Sequence, residues 1–128
     1  MISIAIKKQP EYSVNKEKLK KELTSSLKQS GLVLNAKVSI AIVDEKEMLD
    51  LSKKYLKDNS LHNVLSFPEK EVKGKFISPP GKTKYLGEII ICYPMAEKEA
   101  KIEDKTIEEK IIELAKHGGQ HLMGIHHD

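Results

Sequence analysis

Aliphatic residues occupy every second position in two short stretches of the N-terminal half, residues 2–6 and 38–42. An alternation with a period of two is typical of a strand that buries one face. Pro10 interrupts the first pattern, and polar residues follow the second. Each stretch is therefore predicted to form a strand.

A helix is predicted after each of these strands. Leucines recur every fourth residue between positions 19 and 27, with Asn15 as a candidate N-cap and Gly31 as a candidate stop. Asp44, followed three residues later by Glu47, marks the start of a second helix whose apolar positions extend to Tyr55. The N-terminal half is thus predicted to have the order βαβα.

Two apolar runs predict further strands in the C-terminal half. The first covers residues 63–67 and ends at Pro68, and the second covers residues 86–92 and is closed by Pro94. Lysines, glycines and a proline pair fill residues 69–84 between them. That composition favours a surface loop.

The remaining chain is predicted to be helical. Residues 95–101 have helical character, and Thr106 with Glu109 forms a capping box that opens a last helix carrying histidines on its final turns. With 128 residues, of which 39% are hydrophobic, the chain has the size of one domain. The order βαβαββαα predicts a single α+β domain over residues 1–128, with a mixed sheet of about four strands.

The composition limits the classes of protein to which the chain can belong. No apolar run approaches the roughly 18 residues that cross a bilayer, and the apolar start is too short for a signal peptide, so we expect a cytoplasmic protein without membrane contact. Cys92, the single cysteine, lies within an apolar run and is predicted to be an inert core residue. The 22 basic residues, all lysines, exceed the acidic ones by three, a balance that permits nucleic-acid binding.

Three histidines near the C-terminus predict a metal site. His117 and His121 are four residues apart, so a helix places both imidazoles on one face. Gly124 can end that helix in a left-handed conformation, which allows His127 to return to the same ion. We expect one divalent ion per chain, zinc by preference, with a fourth position open to water. The alternative is that these histidines only complement the helix dipole.

The glycines inside this helix bear on the chemistry. The spacing of the histidines and Gly124 matches that of metzincin peptidases, but Gly118 stands where those enzymes carry a glutamate general base. Phosphodiester hydrolysis depends less on such a carboxylate, so the peptidase hypothesis ranks below a nuclease. Gly118 and Gly119 are also unfavourable within a helix, and close approach by the sheet or by substrate would explain them.

Three motifs resemble the YbeY family. Residues 117–127 are similar to its motif H-G-x-L-H-L-x-G-Y-D-H, residues 63–68 to T-[DN]-V-L-S-F-P, and residues 86–91 to L-G-D-I-V-I. The resemblance implies a zincin-like α+β fold and a zinc-dependent endoribonuclease that cleaves single-stranded RNA. It further implies work on ribosomal RNA in maturation and ribosome quality control, with the small ribosomal subunit and assembly factors as partners.

The resemblance also assigns candidate roles and exposes departures. Ser66 is expected to contact the substrate backbone, or else simply to terminate its strand. Leu56 stands where the family has an arginine thought to assist catalysis, and leucine neither binds phosphate nor stabilises developing charge. Lys57 is the candidate that supplies this charge, unless it is an ordinary solvated lysine. His62 replaces the family threonine and is either an RNA contact or a surface residue.

Differences around the third histidine leave a further alternative open. Ile125 and His126 replace the usual tyrosine and aspartate, so His126 competes with His127 as a candidate ligand. Family members continue with another helical stretch, whereas this sequence ends at Asp128. Leu56 and the lack of arginine favour an alternative, a ribosome-associated binding protein with weakened catalysis whose metal is mainly structural. A fourth ligand from His126 or Asp128 would support this alternative.

Overall fold

The computed structural model describes residues 1–32, 35–69 and 84–124. Within these ranges none of the helices has the length and apolar character needed to span a bilayer. Strands and helices follow the predicted order and confirm the α+β class. Their bounds are β1 Ile2–Lys8, α1 Lys16–Gln29, β2 Ala36–Val43, α2 Glu45–Leu51, β3 Val64–Pro68, β4 Lys84–Cys92, α3 Tyr93–Ile102 and α4 Ile107–Leu122.

The strands form one mixed sheet in the order β1-β2-β4-β3. β1, β2 and β4 are parallel, and β3 pairs with β4 in the antiparallel direction. Among the described strands β3 pairs only with β4 and lies at the end of this order, so it forms one edge of the sheet. The predicted mixed sheet is confirmed, and its antiparallel edge is the part that later lines the candidate site.

Side chains alternate between the two faces of the sheet, and each face has its own apolar cluster. Ile89 lies in the larger cluster, below α1 and α4, whereas the next residue, Ile90, lies in the smaller one below α2. Cys92 also belongs to the smaller cluster, where burial raises the pKa of its thiol. A buried thiol with a raised pKa is a poor nucleophile, as predicted for this cysteine.

The caps of the first two helices follow the sequence. The Asn15 side chain accepts a hydrogen bond from the backbone N–H of Lys18 at 3.1 Å, and Gly31 adopts φ +103° after the helix. At α2, the Asp44 carboxylate accepts from the backbone N–H of Glu47 at 2.8 Å. These bonds satisfy N–H groups that have no partner within the helix.

The second helix ends earlier than predicted. Its α-helical part stops at Leu51, and residues Ser52–Leu56 form a π-helical turn that ends at Lys57, a residue with φ +53°. A π-helical turn contains about one residue more than an α-helical turn, so its side chains are shifted around the helix axis. Tyr55 therefore leaves the buried face of the helix and is 55% exposed, contrary to its predicted place among the apolar positions.

Two boundaries in the C-terminal half also shift. α3 begins at Tyr93, directly after β4, so Pro94 lies in the first helical turn and does not separate strand from helix. Proline is tolerated there because its missing N–H would have had no helical partner. Lys84, predicted as loop, is the first residue of β4 and pairs with Ala36. The rest of the predicted loop, apart from Glu69, lies outside the described residues.

The two glycines within α4 allow close helix packing. A Cβ atom at position 118 would lie 2.8 Å from Cγ2 of Ile89 on the sheet, and one at position 119 would lie 2.9 Å from Cδ1 of Leu23 on α1. The predicted approach by the sheet is confirmed for Gly118. For Gly119 the neighbour is a helix, which the sequence prediction did not include.

Replacing Gly118 by alanine is expected to destabilise the protein by about 1–2 kcal/mol, because overpacking outweighs the gain in helix propensity. Gly119→Ala is the matched control and is expected to cost less, since Leu23 Cδ1 is the end of a flexible side chain whereas Ile89 Cγ2 sits on a rigid β-branched carbon. Urea unfolding measures both. Equal stability of Gly118→Ala and the parent chain would contradict this packing account.

Candidate active site

The last turns of α4 bring His117 and His121 together. Their ring centroids are 4.5 Å apart and the rings are tilted by 47°. His117 is exposed and His121 is half-buried. One helical turn separates the two residues, so both imidazoles face the same side of the helix, as their spacing predicted.

A cleft of about 280 Å³ opens in front of these histidines. Residues of α4 line one side, and β3 with the residue before it lines the other. The described residues that line it are Asn63, Val64, Leu65, Ser66, His117, Gly118 and His121. Two of the three sequence motifs therefore meet in one cavity, although 48 residues of chain lie between them.

The third motif sets the position of the strand wall. Gly87 has φ +140°, and a Cβ atom there would lie 2.3 Å from the carbonyl oxygen of Phe67. Only glycine fits this conformation and this distance. Gly87 thus allows the end of β3, at Phe67 and Pro68, to lie close against β4, a role that the sequence analysis did not assign to it.

The end of α4 agrees with the prediction as far as the structure describes it. Gly124 has φ +83°, and its N–H bonds to the carbonyl of His121 at 3.0 Å. His126, His127 and Asp128 lie outside the described residues. Within the described ranges no group of three metal-binding side chains is present. His117 and His121 supply imidazole nitrogens, a donor type that suits zinc, and the proposed third ligand stays a prediction.

The other candidate residues lie in different places. Ser66 lines the cleft, and its contact with the substrate stays a prediction. Lys57 is not among the described residues of the cleft lining, and Leu56 beside it is 46% exposed. His62 Nε2 lies 2.9 Å from an oxygen of Asp58, so this histidine has a hydrogen-bonding partner outside the cleft. The roles of Lys57 and His62 toward RNA stay predictions.

Asn63 was part of a motif, but no role was predicted for it. Its side-chain Nδ2 donates to both carboxylate oxygens of Glu99 on α3, at 3.0 and 3.3 Å. Its backbone carbonyl accepts a hydrogen bond from the N–H of Cys92 at 2.9 Å. Position 63 is thereby held at both its backbone and its side chain. The only sequence signal was an amide within a motif, because Glu99 lies 36 residues away.

Comparison with known proteins agrees with this arrangement. The family model described as Endoribonuclease YbeY matches residues 4–128. The chain belongs to the YbeY endoribonuclease family. Family membership explains why the motifs at residues 63–68, 86–91 and 117–127 occur together, since the match extends over all three.

Relatives in the YbeY family include the Endoribonuclease YbeY of Aquifex aeolicus, which is 34% identical over 90% of this chain and 71% of its own length. That of Wigglesworthia glossinidia brevipalpis is 34% identical over 72% of this chain and 57% of its own length. The solution structure of TM1509 from Thermotoga maritima has a TM-score of 0.60 at 26% identity and covers all of this chain and 75% of that one.

The purified protein is expected to carry about one divalent ion per chain, because two imidazoles at helical spacing provide part of a zinc-type donor set. Elemental analysis by mass spectrometry measures this occupancy. A His117→Ala, His121→Ala double variant should lose the ion, whereas His62→Ala, which removes a histidine outside the cleft, should keep it. Full occupancy in the double variant would rule out this site.

Proposed function

We propose that this protein is a metal-dependent endoribonuclease that cleaves single-stranded RNA. The observation that carries the proposal is the cleft in which His117 and His121 face Ser66 and Asn63, in a chain of the YbeY endoribonuclease family. An open cleft beside an edge strand suits an extended strand of nucleic acid better than a duplex.

The metal would be held by His117 and His121 on α4, with His127 as the proposed third ligand. Zinc is the proposed ion because neutral imidazoles are among its preferred donors. When bound, such an ion supplies Lewis-acid polarisation of a phosphoryl oxygen and acidifies water. Each histidine must be neutral at its binding nitrogen, so the site should fill less completely in acid.

The other residues of the cleft bind and orient the substrate in this proposal. The hydroxyl of Ser66 can donate a hydrogen bond to a non-bridging phosphate oxygen. Asn63 offers an amide on the same wall. The backbone of Ser66 belongs to β3, and Asn63 is hydrogen-bonded to Glu99 and Cys92, which lowers the ordering cost of binding an RNA backbone.

The cleft lining favours a nuclease over a peptidase. Among the described residues that line it none is a carboxylate, and Gly118 packs against Ile89 at the position where a peptidase of this spacing would carry its base. Without a proton acceptor beside the attacking water, amide hydrolysis loses its general-base catalysis. Phosphodiester cleavage relies more on charge stabilisation, which a bound metal would supply.

Ribosomal RNA is the proposed substrate in the cell, in maturation and ribosome quality control in the cytoplasm. The small ribosomal subunit and its assembly factors are the proposed partners. Support comes from the family and from the excess of lysine over acidic residues, which favours association with an anionic particle. If the protein does not associate with ribosomal particles in cell extracts, the proposed ribosomal role is wrong, and the nuclease activity is unaffected by that result.

A second candidate is a ribosome-associated binding protein with weakened catalysis. It is favoured by Leu56, an exposed aliphatic residue in a surface segment that also contains Lys53, Lys54 and Lys57. Cations around an exposed Tyr55 ring can bind single-stranded RNA without assisting its cleavage. The two candidates differ in turnover, not in RNA binding.

The purified protein is expected to cleave a labelled single-stranded RNA slowly, with loss of activity on chelation and recovery on adding zinc. His121→Ala should abolish cleavage, because it removes a proposed metal ligand, while Lys37→Ala, at an exposed position of β2 that is not part of the cleft lining, should leave the rate unchanged. Gel analysis of the products measures both. Cleavage that survives both chelation and His121→Ala would come from a contaminating nuclease, and the binding-protein candidate would then be favoured.

Leu56→Arg is expected to accelerate this cleavage by up to about a hundredfold, since one well-placed donor to a developing phosphate charge contributes roughly 3 kcal/mol. Leu56→Met is the matched control, with a similar size and no charge. Single-turnover rates separate the chemical step from binding. If Lys57 already supplies this charge, Leu56→Arg should change little and Lys57→Ala should slow the chemical step sharply.

A further inference from the structure

A buried cation links α3 and α4 behind the cleft. The Lys110 side chain is only 5% exposed, and its Nζ lies 3.0 Å from an oxygen of Glu113, 3.0 Å from one of Glu103 and 3.5 Å from one of Glu99. Burying a charge is unfavourable unless partners of opposite sign surround it. Three carboxylates around one ammonium meet that condition.

The ionisation of this cluster is stable near neutral pH. Burial lowers the pKa of Lys110, but hydrogen bonds to the carboxylates of Glu103 and Glu113 outweigh it and raise the pKa to about 12. The bond to Lys110 in turn lowers the pKa of the Glu103 carboxyl. Lys110 therefore remains a fixed cation behind the wall of the cleft.

Glu99 differs from the other two carboxylates in having a partner at the cleft. Its contact with Lys110 is its longer one, at 3.5 Å, while its bonds to Nδ2 of Asn63 measure 3.0 and 3.3 Å. Glu103 and Glu113 already pair with Lys110 at shorter distance. A role limited to joining α3 and α4 would not require Glu99 to face Asn63.

The hydrogen bonds between Glu99 and Asn63 determine which atom of the Asn63 side chain can bind a ligand. An amide carries donors on nitrogen and acceptors on oxygen, and a carboxylate accepts only. Glu99 therefore fixes the orientation of the amide by taking Nδ2 as its donor. The carbonyl oxygen Oδ1 is then the atom of this side chain left to bind a substrate group, and it requires a hydrogen-bond donor.

We propose that Glu99 is a positioning residue that orients Asn63, so that Asn63 Oδ1 accepts a hydrogen bond from RNA in the cleft. The inference rests on the proposed function, since it concerns recognition of the same substrate. RNA offers such a donor in the ribose 2′-hydroxyl, which DNA lacks, and in base N–H groups. Either donor would select a nucleotide without adding charge to the site.

The test uses the full-length protein as purified, in excess over fluorescent oligouridine or the matching 2′-deoxy oligonucleotide. The initial rise in fluorescence anisotropy with increasing protein concentration gives the affinity for the oligonucleotide. The later decay of anisotropy, as the oligonucleotide is cut into shorter products, gives the cleavage rate. Glu99→Ala should weaken RNA binding by about fivefold to tenfold, the loss expected for one hydrogen bond. Glu103→Gln, which disturbs Lys110 without touching Asn63, should leave the affinity unchanged.

The 2′-deoxy arm identifies the donor. If Glu99→Ala weakens RNA but not DNA binding, the donor is the 2′-hydroxyl, and equal weakening of both assigns it to a base. Asn63→Asp alone places two carboxylates against each other and should also weaken binding. Asn63→Asp with Glu99→Gln restores an amide–carboxylate bond with the roles exchanged, so the double variant should bind more tightly than Asn63→Asp.

Two results would overturn the positioning role. The first is an unchanged RNA affinity in Glu99→Ala, and the second is an equal loss in Glu99→Ala and Glu103→Gln, which would reduce both residues to structural partners of Lys110. Urea unfolding of every variant separates loss of binding from loss of fold. A chain that binds RNA through Asn63 but shows no later decay of anisotropy would contradict the proposed nuclease and leave this inference intact.

Discussion

The approach of α4 to the sheet at Gly118 is the constraint on which the rest of the structure depends. A helix with an ordinary side chain there would lie farther from Ile89, and the two histidines on its last turns would move away from β3. Gly119 allows the equivalent approach of α1 on the neighbouring side. The conformational cost of two glycines inside a helix is thus offset by the packing they permit.

Local signals in the sequence were sufficient for most of the fold. Asn15, Asp44 and the pair Thr106–Glu109 each form the predicted cap, because capping depends on residues within three positions of one another. β1 and β2 follow their alternation of apolar residues, and β3 and β4 follow their apolar runs, because these patterns are also local. The π-helical turn after α2 was not predicted. Over only five residues, the spacing of apolar positions is too similar in an α-helix and in a π-helix to tell the two apart.

The candidate site could be predicted only where its residues belong to one helix. The distance between His117 and His121 follows from helical geometry, whereas the partnership of Asn63 with Glu99 depends on how β3 and α3 pack. The sheet register that brings Gly87 opposite Pro68 is likewise a tertiary property. The family motifs named these segments but did not state which atoms they bring into contact.

The π-helical turn at Ser52–Leu56 has an evolutionary consequence. A π turn holds one residue more than an α-helical turn, so the segment before Lys57 can gain or lose a residue while α2 keeps its buried contacts through Met48. The position occupied by Leu56 lies within this tolerant turn. Changes in charge and length can therefore be accommodated at the exposed positions Tyr55 and Leu56 without disturbing the core, whereas Ser52 at the start of the turn is buried and is constrained by its neighbours.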